Sequence, residues 1–117
     1  MDKMNNILVF LAEGFEEVEA LAIVDVLRRG NQPVTTVSIT GSLAVRGSHD
    51  VTIQADMLLE ELHSGVLPKA IALPGGMTKL NECKPLLELI RRQHEAGGTI
   101  AAICASPRVL GAAGIGD

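Results

Sequence analysis

An α/β fold built on a doubly wound, mostly parallel sheet is predicted by three features of this sequence. Short aliphatic runs alternate with longer helical stretches, the first run is apolar on both faces, and glycines and prolines stand at the joints. Strands separated by helices imply right-handed crossovers, and four main strands in such a fold most commonly take the order 2-1-3-4.

Residues 6–11 (NILVFL) read as a buried first strand. Residues 16–29 follow as a helix that ends at Gly30, a usual C-terminal stop. Residues 34–40 (VTTVSIT) are β-branched and make the second strand. Residues 41–55 form a small antiparallel hairpin, with 46–50 (RGSHD) as its turn and an alternating second arm from 51 to 55. Residues 57–62 are assigned to a short helix. Residues 70–73 are the third main strand, stopped by Pro74-Gly75-Gly76. Residues 85–96 make an amphipathic helix closed by Gly97-Gly98, and residues 99–103 the fourth strand. A last short helix covers 106–113, with Ser106 as N-cap and Pro107 at the first helical position.

A chain of 117 residues and 12.3 kDa fits one domain, 1–117, with no repeat, linker or low-complexity tract. Doubly wound sheets usually carry a fifth strand, and the sequence stops at Gly116-Asp117, where that strand would begin. The fourth strand would then be an uncovered edge. The expectation is that this is the N-terminal portion of a longer chain, whose C-terminal remainder completes the fold.

Composition excludes several functions. Apolar residues make up 47% and charged ones 21%, which suits a folded domain. The formal charge is -4, and no basic cluster exceeds Arg28-Arg29 or Arg91-Arg92, so a nucleic-acid surface is not expected. Phe10 and Phe15 are the only aromatics, too few for a base-stacking platform. The apolar run 7–12 is shorter than a signal-peptide core or a membrane span. Cys83 and Cys104 make no disulfide framework, and no Cys, His and Asp group has metal-ligand spacing. No cofactor is expected. A cytosolic setting follows, where a thiol matters for its reactivity.

In a doubly wound sheet, ligands bind beyond the carboxyl ends of the strands where the strand order reverses. Topology brings three sequence-distant features to that end. Cys104 lies in Ala102-Ile103-Cys104-Ala105-Ser106, between a strand and a helix, where small neighbours permit the tight turn of a nucleophile elbow. There the helix N-terminus stabilises a thiolate. The alternative is a buried, inert cysteine. Cys83, in a polar loop before a helix, reads as incidental. Gly75-Gly76 can bring backbone N–H groups close to a ligand and, with the Ala105 N–H, form an oxyanion hole; a plain turn after Pro74 is the other reading. Glu19 shares a helical stripe with Phe15, Ala22, Ile23 and Val26. Burial there favours the neutral carboxyl, which can donate a hydrogen bond to a thiolate; the other reading is a first-turn acid favoured by the helix dipole, which suffices for Glu16 and Glu17. Between Val18 and Leu27 only Glu19 and Asp25 are polar, so this helix is expected to be buried on two sides, by the sheet and by a partner subunit. His63 and His94 read as surface residues; His49 can reach a neighbouring site from the hairpin turn, but a solvated turn residue is the favoured reading.

The segments LAEGFEEVE (11–19), VDVLRR (24–29), LPGG (73–76) and AAICASP (101–107) resemble, in this order, the DJ-one/ThiJ/PfpI superfamily, which has a flavodoxin-like fold. The resemblance is closest to the branch containing the Parkinson-associated deglycase and its bacterial ThiJ-like relatives. It implies that Cys104 is the nucleophile and peroxide-sensitive thiol and that Glu19 is its protonated partner. It also implies that Gly75, Gly76 and Ala105 line the oxyanion pocket and that the first helix helps form a homodimer. Three departures stand out. Ser106 replaces the Gly of many relatives. Ala105 stands where the protease-like branch has His, which counts against peptidase activity. The family's active-site His comes from a segment after residue 117.

Two function classes follow. One is a glyoxalase or deglycase whose Cys104 thiolate attacks a reactive carbonyl such as methylglyoxal or its adducts. The other is a non-enzymatic oxidative-stress sensor or chaperone, in which Cys104 is oxidised to a sulfinate steadied by Glu19. An amidotransferase-like or PfpI-type hydrolase is a third reading.

Overall fold

The computed structural model describes residues 6–62, 67–75 and 83–102. In chain order the elements are β1 (Ile7–Leu11), α1 (Glu17–Arg29), β2 (Val34–Ser38), β3 (Ala44–Arg46), β4 (Thr52–Gln54), β5 (Met57–Leu58), β6 (Ala70–Leu73), α2 (Lys84–Glu95) and β7 (Thr99–Ala102). Five strands form one sheet in the order β5-β2-β1-β6-β7, and every neighbouring pair is parallel. The four main strands thus take the expected 2-1-3-4 order. The β3–β4 pair is the expected antiparallel hairpin.

β1 is central, and all five of its residues are buried, so both sheet faces are covered along it. Phe10, Val37, Ile71 and Leu73 are completely enclosed. α2 turns Leu86, Leu89, Ile90 and Gln93 inward, the i, i+3, i+4, i+7 spacing of a helix lying on a core. Cys83 caps this helix, half-buried against the core, and packs as a small hydrophobe. His94 is exposed, as expected.

The short helix expected over 57–62 is instead a two-residue strand followed by a 3-10 turn, Leu59–Glu61. Asp56 and Thr36 grip each other just before it. The Asp56 carboxylate accepts from Thr36 N at 2.9 Å, and Asp56 N donates to Thr36 Oγ1 at 2.9 Å. That grip lays Met57 and Leu58 alongside Val37 and Ser38 as an edge strand. The stop at Gly30 also differs in detail. Gly30 keeps a negative φ of -83°, and the left-handed residue is Asn31, at φ 62°. Gln32 N then donates back to Leu27 O at 3.0 Å. α2 ends in the same way through Gly97 (φ 76°), with Gly98 N donating to Gln93 O at 2.8 Å. The helix expected over 106–113 lies outside the described residues.

The stripe assigned to α1 is corrected as well. Phe15 is buried but precedes the helix, and Val26 is 65% exposed. Glu17 and Ala20 are buried, with Ile23, Val24 and Leu27 half-buried against the core, so Ile23 keeps its predicted place on the inward stripe while the exposed Ala22 and Val26 do not. Val18, Leu21 and Val26 stand exposed at 78%, 48% and 65%. A groove of about 520 Å³ opens between Ile23, Val26 and Leu27 of α1 and Ala70, Ile71 and Ala72 of β6. Among the described residues, no titratable side chain lines it.

Candidate active site

The strand order reverses between β1 and β6, and the loops leaving their carboxyl ends meet there. Glu16 N donates to Gly75 O at 2.9 Å, and Gly75 N donates to Glu19 Oε1 at 2.9 Å. Two of the residues singled out from sequence, Glu19 and Gly75, are therefore in direct contact although 56 positions apart. Glu19 is half-buried in the first turn of α1, and its carboxyl spans from the helix to the turn after β6. β7 runs to the same end of the sheet, since Ala102 pairs with Leu73. Cys104, Gly76 and Ala105 lie outside the described residues, as does His63.

The Gly75 contact refines the oxyanion expectation. Its N–H is already engaged by Glu19, so Gly75 holds the acid in place instead of presenting an open donor. Its carbonyl is engaged by Glu16, so both backbone groups of Gly75 stitch β6 to the start of α1.

The hairpin forms the other wall of this loop. Gly14 N donates to Arg46 O at 2.9 Å, Arg46 N to Glu13 Oε2 at 3.1 Å, and Ser48 N to Phe15 O at 2.9 Å. Glu17, expected to be an acid held only by the helix dipole, is buried and takes the central part. Its Oε2 accepts from His49 N at 2.8 Å and Val51 N at 3.2 Å, and its Oε1 lies 3.1 Å from His49 Nδ1. Gly47 is required beneath it, because a Cβ there would overlap the Glu17 carboxyl.

Burial pushes the Glu17 carboxyl up, but the bonds from its own backbone N–H, the His49 ring and the His49 and Val51 amides outweigh this. They bring its pKa down to about 2. The same ring bond, with the charges of Glu17 and Glu16, raises the His49 pKa. The expectation of a merely solvated His49 is thus half right. Its side chain is 74% exposed, yet its ring is paired. Sequence reading missed Glu17, although a signal was present: it stands three and seven positions before Ala20 and Val24 on the inward stripe.

Among the described residues, no group of three His, Cys, Asp or Glu side chains is gathered to hold a metal ion, and no helix is long and apolar enough to cross a membrane.

Comparison with known proteins places this geometry in a wider group. Residues 5–117 match the model of the DJ-1/PfpI family. The chain is 40% identical over 111 residues to protein dj-1beta of Drosophila melanogaster, covering 92% of this chain and 59% of that protein. The crystal structure of Drosophila melanogaster DJ-1beta superposes with a TM-score of 0.89 at 40% identity, over 98% of this chain and 62% of that one. The glutathione-independent glyoxalase DJR-1.2 of Caenorhabditis elegans is 36% identical over 105 residues, covering 88% of this chain and 55% of that protein. The chain thus spans less than two thirds of each of these relatives.

Proposed function

Because this chain belongs to the DJ-1/PfpI family, we propose that the protein it forms part of is a cysteine-dependent enzyme of glyoxalase or deglycase type, acting on small reactive carbonyls such as methylglyoxal or its adducts. The observation that carries the reading is the Glu19–Gly75 hydrogen bond at the carboxyl ends of the central strands. It fixes an acid and a glycine turn at the end of the sheet toward which β7 leads the chain to Cys104. A relative bearing the name of a glyoxalase supports the substrate class.

In this scheme the Cys104 thiolate attacks the carbonyl carbon. A C–S bond forms, the π electrons move to oxygen, and the alkoxide is held by the Gly76 and Ala105 N–H groups. Glu19, held by Gly75, is the hydrogen-bond partner of the thiol. The histidine that moves protons comes from the part of the protein beyond residue 117. The exposed Val18, Leu21 and Val26 of α1 form a homodimer contact in the cytosol.

The test is turnover by the full chain. Methylglyoxal loss is expected to run for many turnovers and to be abolished by Cys104→Ser. Iodoacetamide labelling of Cys104 is expected to inflect below the ~8.5 of a free thiol and to outpace Cys83. Activity indifferent to Cys104→Ser would overturn the reading. Loss that stops at one equivalent per site would transfer Cys104 to the oxidative-sensor class.

A further inference from the structure

The loop from Glu13 to Glu19 is held between two structures, and only one of them belongs to the proposed chemistry. On one side stands Gly75, bonded to Glu16 N and to Glu19. On the other stands the β3–β4 hairpin, whose share of the core among the described residues is small: Val45, the half-buried Ile53 and, just past β4, Ala55. An isolated two-stranded hairpin is marginal in water. Backbone bonds from Gly14 to Arg46 and from Ser48 to Phe15, and the Glu13 carboxylate on Arg46 N, tie its first arm and turn to the loop, and the buried Glu17 carboxylate adds the His49 and Val51 amides and the His49 ring.

We propose that Glu17 is a positioning residue whose carboxylate latches the hairpin turn onto the first turn of α1 and thereby holds Glu19 and Gly75 in register. The proposal rests on the reading of Glu19 and Gly75 as site residues. The path is short and continuous. Glu17 is one residue from Glu16, whose N–H holds Gly75 O, and two from Glu19, whose carboxyl holds Gly75 N. Ser48 adds to the clamp, its N–H on Phe15 O and its hydroxyl on Glu16 Oε1 at 3.3 Å.

The latch is proton-sensitive in a defined window. The other charged groups around it are Glu13, Glu16 and Glu19 on the loop and α1, and the Arg46–Asp50 pair, 3.4 Å apart, on the hairpin. Glu17 has a lowered pKa, so its contribution is complete above its ordinary 4.5 and is lost as pH falls through about 2. His49 has a raised pKa, so its contribution is complete below its ordinary 6.5 and is lost as pH rises through its folded value. Both are in full effect between 4.5 and 6.5, where the latch is tightest.

Amide hydrogen exchange and the NMR titration of His49 in the full chain test this without using the thiol, so the latch is decided even for a protein that lacks carbonyl chemistry. In Glu17→Gln, exchange at His49 and Val51 should rise roughly fivefold, the scale on which two charge-assisted hydrogen bonds weaken when their shared acceptor becomes a neutral amide oxygen. The His49 pKa should return toward 6.5, and Gly75 exchange should rise several-fold. If His49 and Val51 loosen while Gly75 is unchanged, the latch is local and the positioning role is refuted. Should Glu17→Gln not fold, His49→Gln serves instead. Corrected for intrinsic base catalysis, Gly75 exchange should then rise with pH across the His49 titration in the parent protein and not in the variant. An identical pH response in both also refutes the proposal.

Discussion

Replacing Glu19 by leucine removes the acceptor for the Gly75 N–H at 2.9 Å while keeping a side chain of similar bulk on a half-buried site. The net worth of one such bond is about 1 kcal/mol, which corresponds to about a fivefold change in an opening equilibrium. The effect is bounded, because Glu16 N still holds Gly75 O at 2.9 Å and the turn is not released altogether. The assay is amide exchange at Gly75 in the full chain. About fivefold faster exchange is expected in Glu19→Leu. Glu19→Gln keeps a side-chain oxygen at the same reach and should stay near the parent rate. Glu19→Asp, one methylene shorter, should fall with leucine. The yield of Cys104 sulfinate after peroxide treatment should follow the same order. Equal Gly75 exchange in all four proteins would show that Glu19 is no more than an acid at the start of a helix.

Gly98→Ala should destabilise the fold by about 1–3 kcal/mol through overpacking. Its Cβ would overlap Gln93, which cannot step aside because its Nε2 donates to Pro68 O at 3.1 Å and Thr99 O at 3.4 Å. A thermal melt unchanged from the parent would contradict this account of Gln93. On α1, the double substitution Val18→Glu and Leu21→Glu should halve the mass seen by light scattering without altering the circular dichroism spectrum, since neither side chain is buried within one chain. A dimer that survives both charges would remove α1 from the subunit contact.

Much of the fold was legible in one dimension. NILVFL and VTTVSIT each commit to a strand through branched and aliphatic side chains, and the α2 spacing Leu86, Leu89, Ile90, Gln93 commits to one face of a helix. The misreading of 57–62 has a tertiary cause: those residues carry a helix-compatible pattern, but two hydrogen bonds between Asp56 and Thr36, 20 positions apart, outweigh so weak a local preference. Gly30 closes α1 as expected, with Asn31 after it in the left-handed region.

The candidate site divides along the same line. Local order alone predicts one end of the sheet for Glu19, Gly75 and Cys104, because strand alternation and right-handed crossovers leave few other topologies, and Glu19 and Gly75 do meet there. The contact between Glu19 and Gly75, and the service of the Gly75 N–H to that acid, depend on loops 56 residues apart and emerge only once β1 and β6 lie side by side. Glu17 is the clearest case. In sequence it is one acid among four in the stretch 13–19, set apart from Glu16 only by its helical spacing to Ala20 and Val24. Its role is set by the backbone amides of His49 and Val51, more than 30 positions on, which only the tertiary packing of the hairpin against α1 brings to its carboxylate.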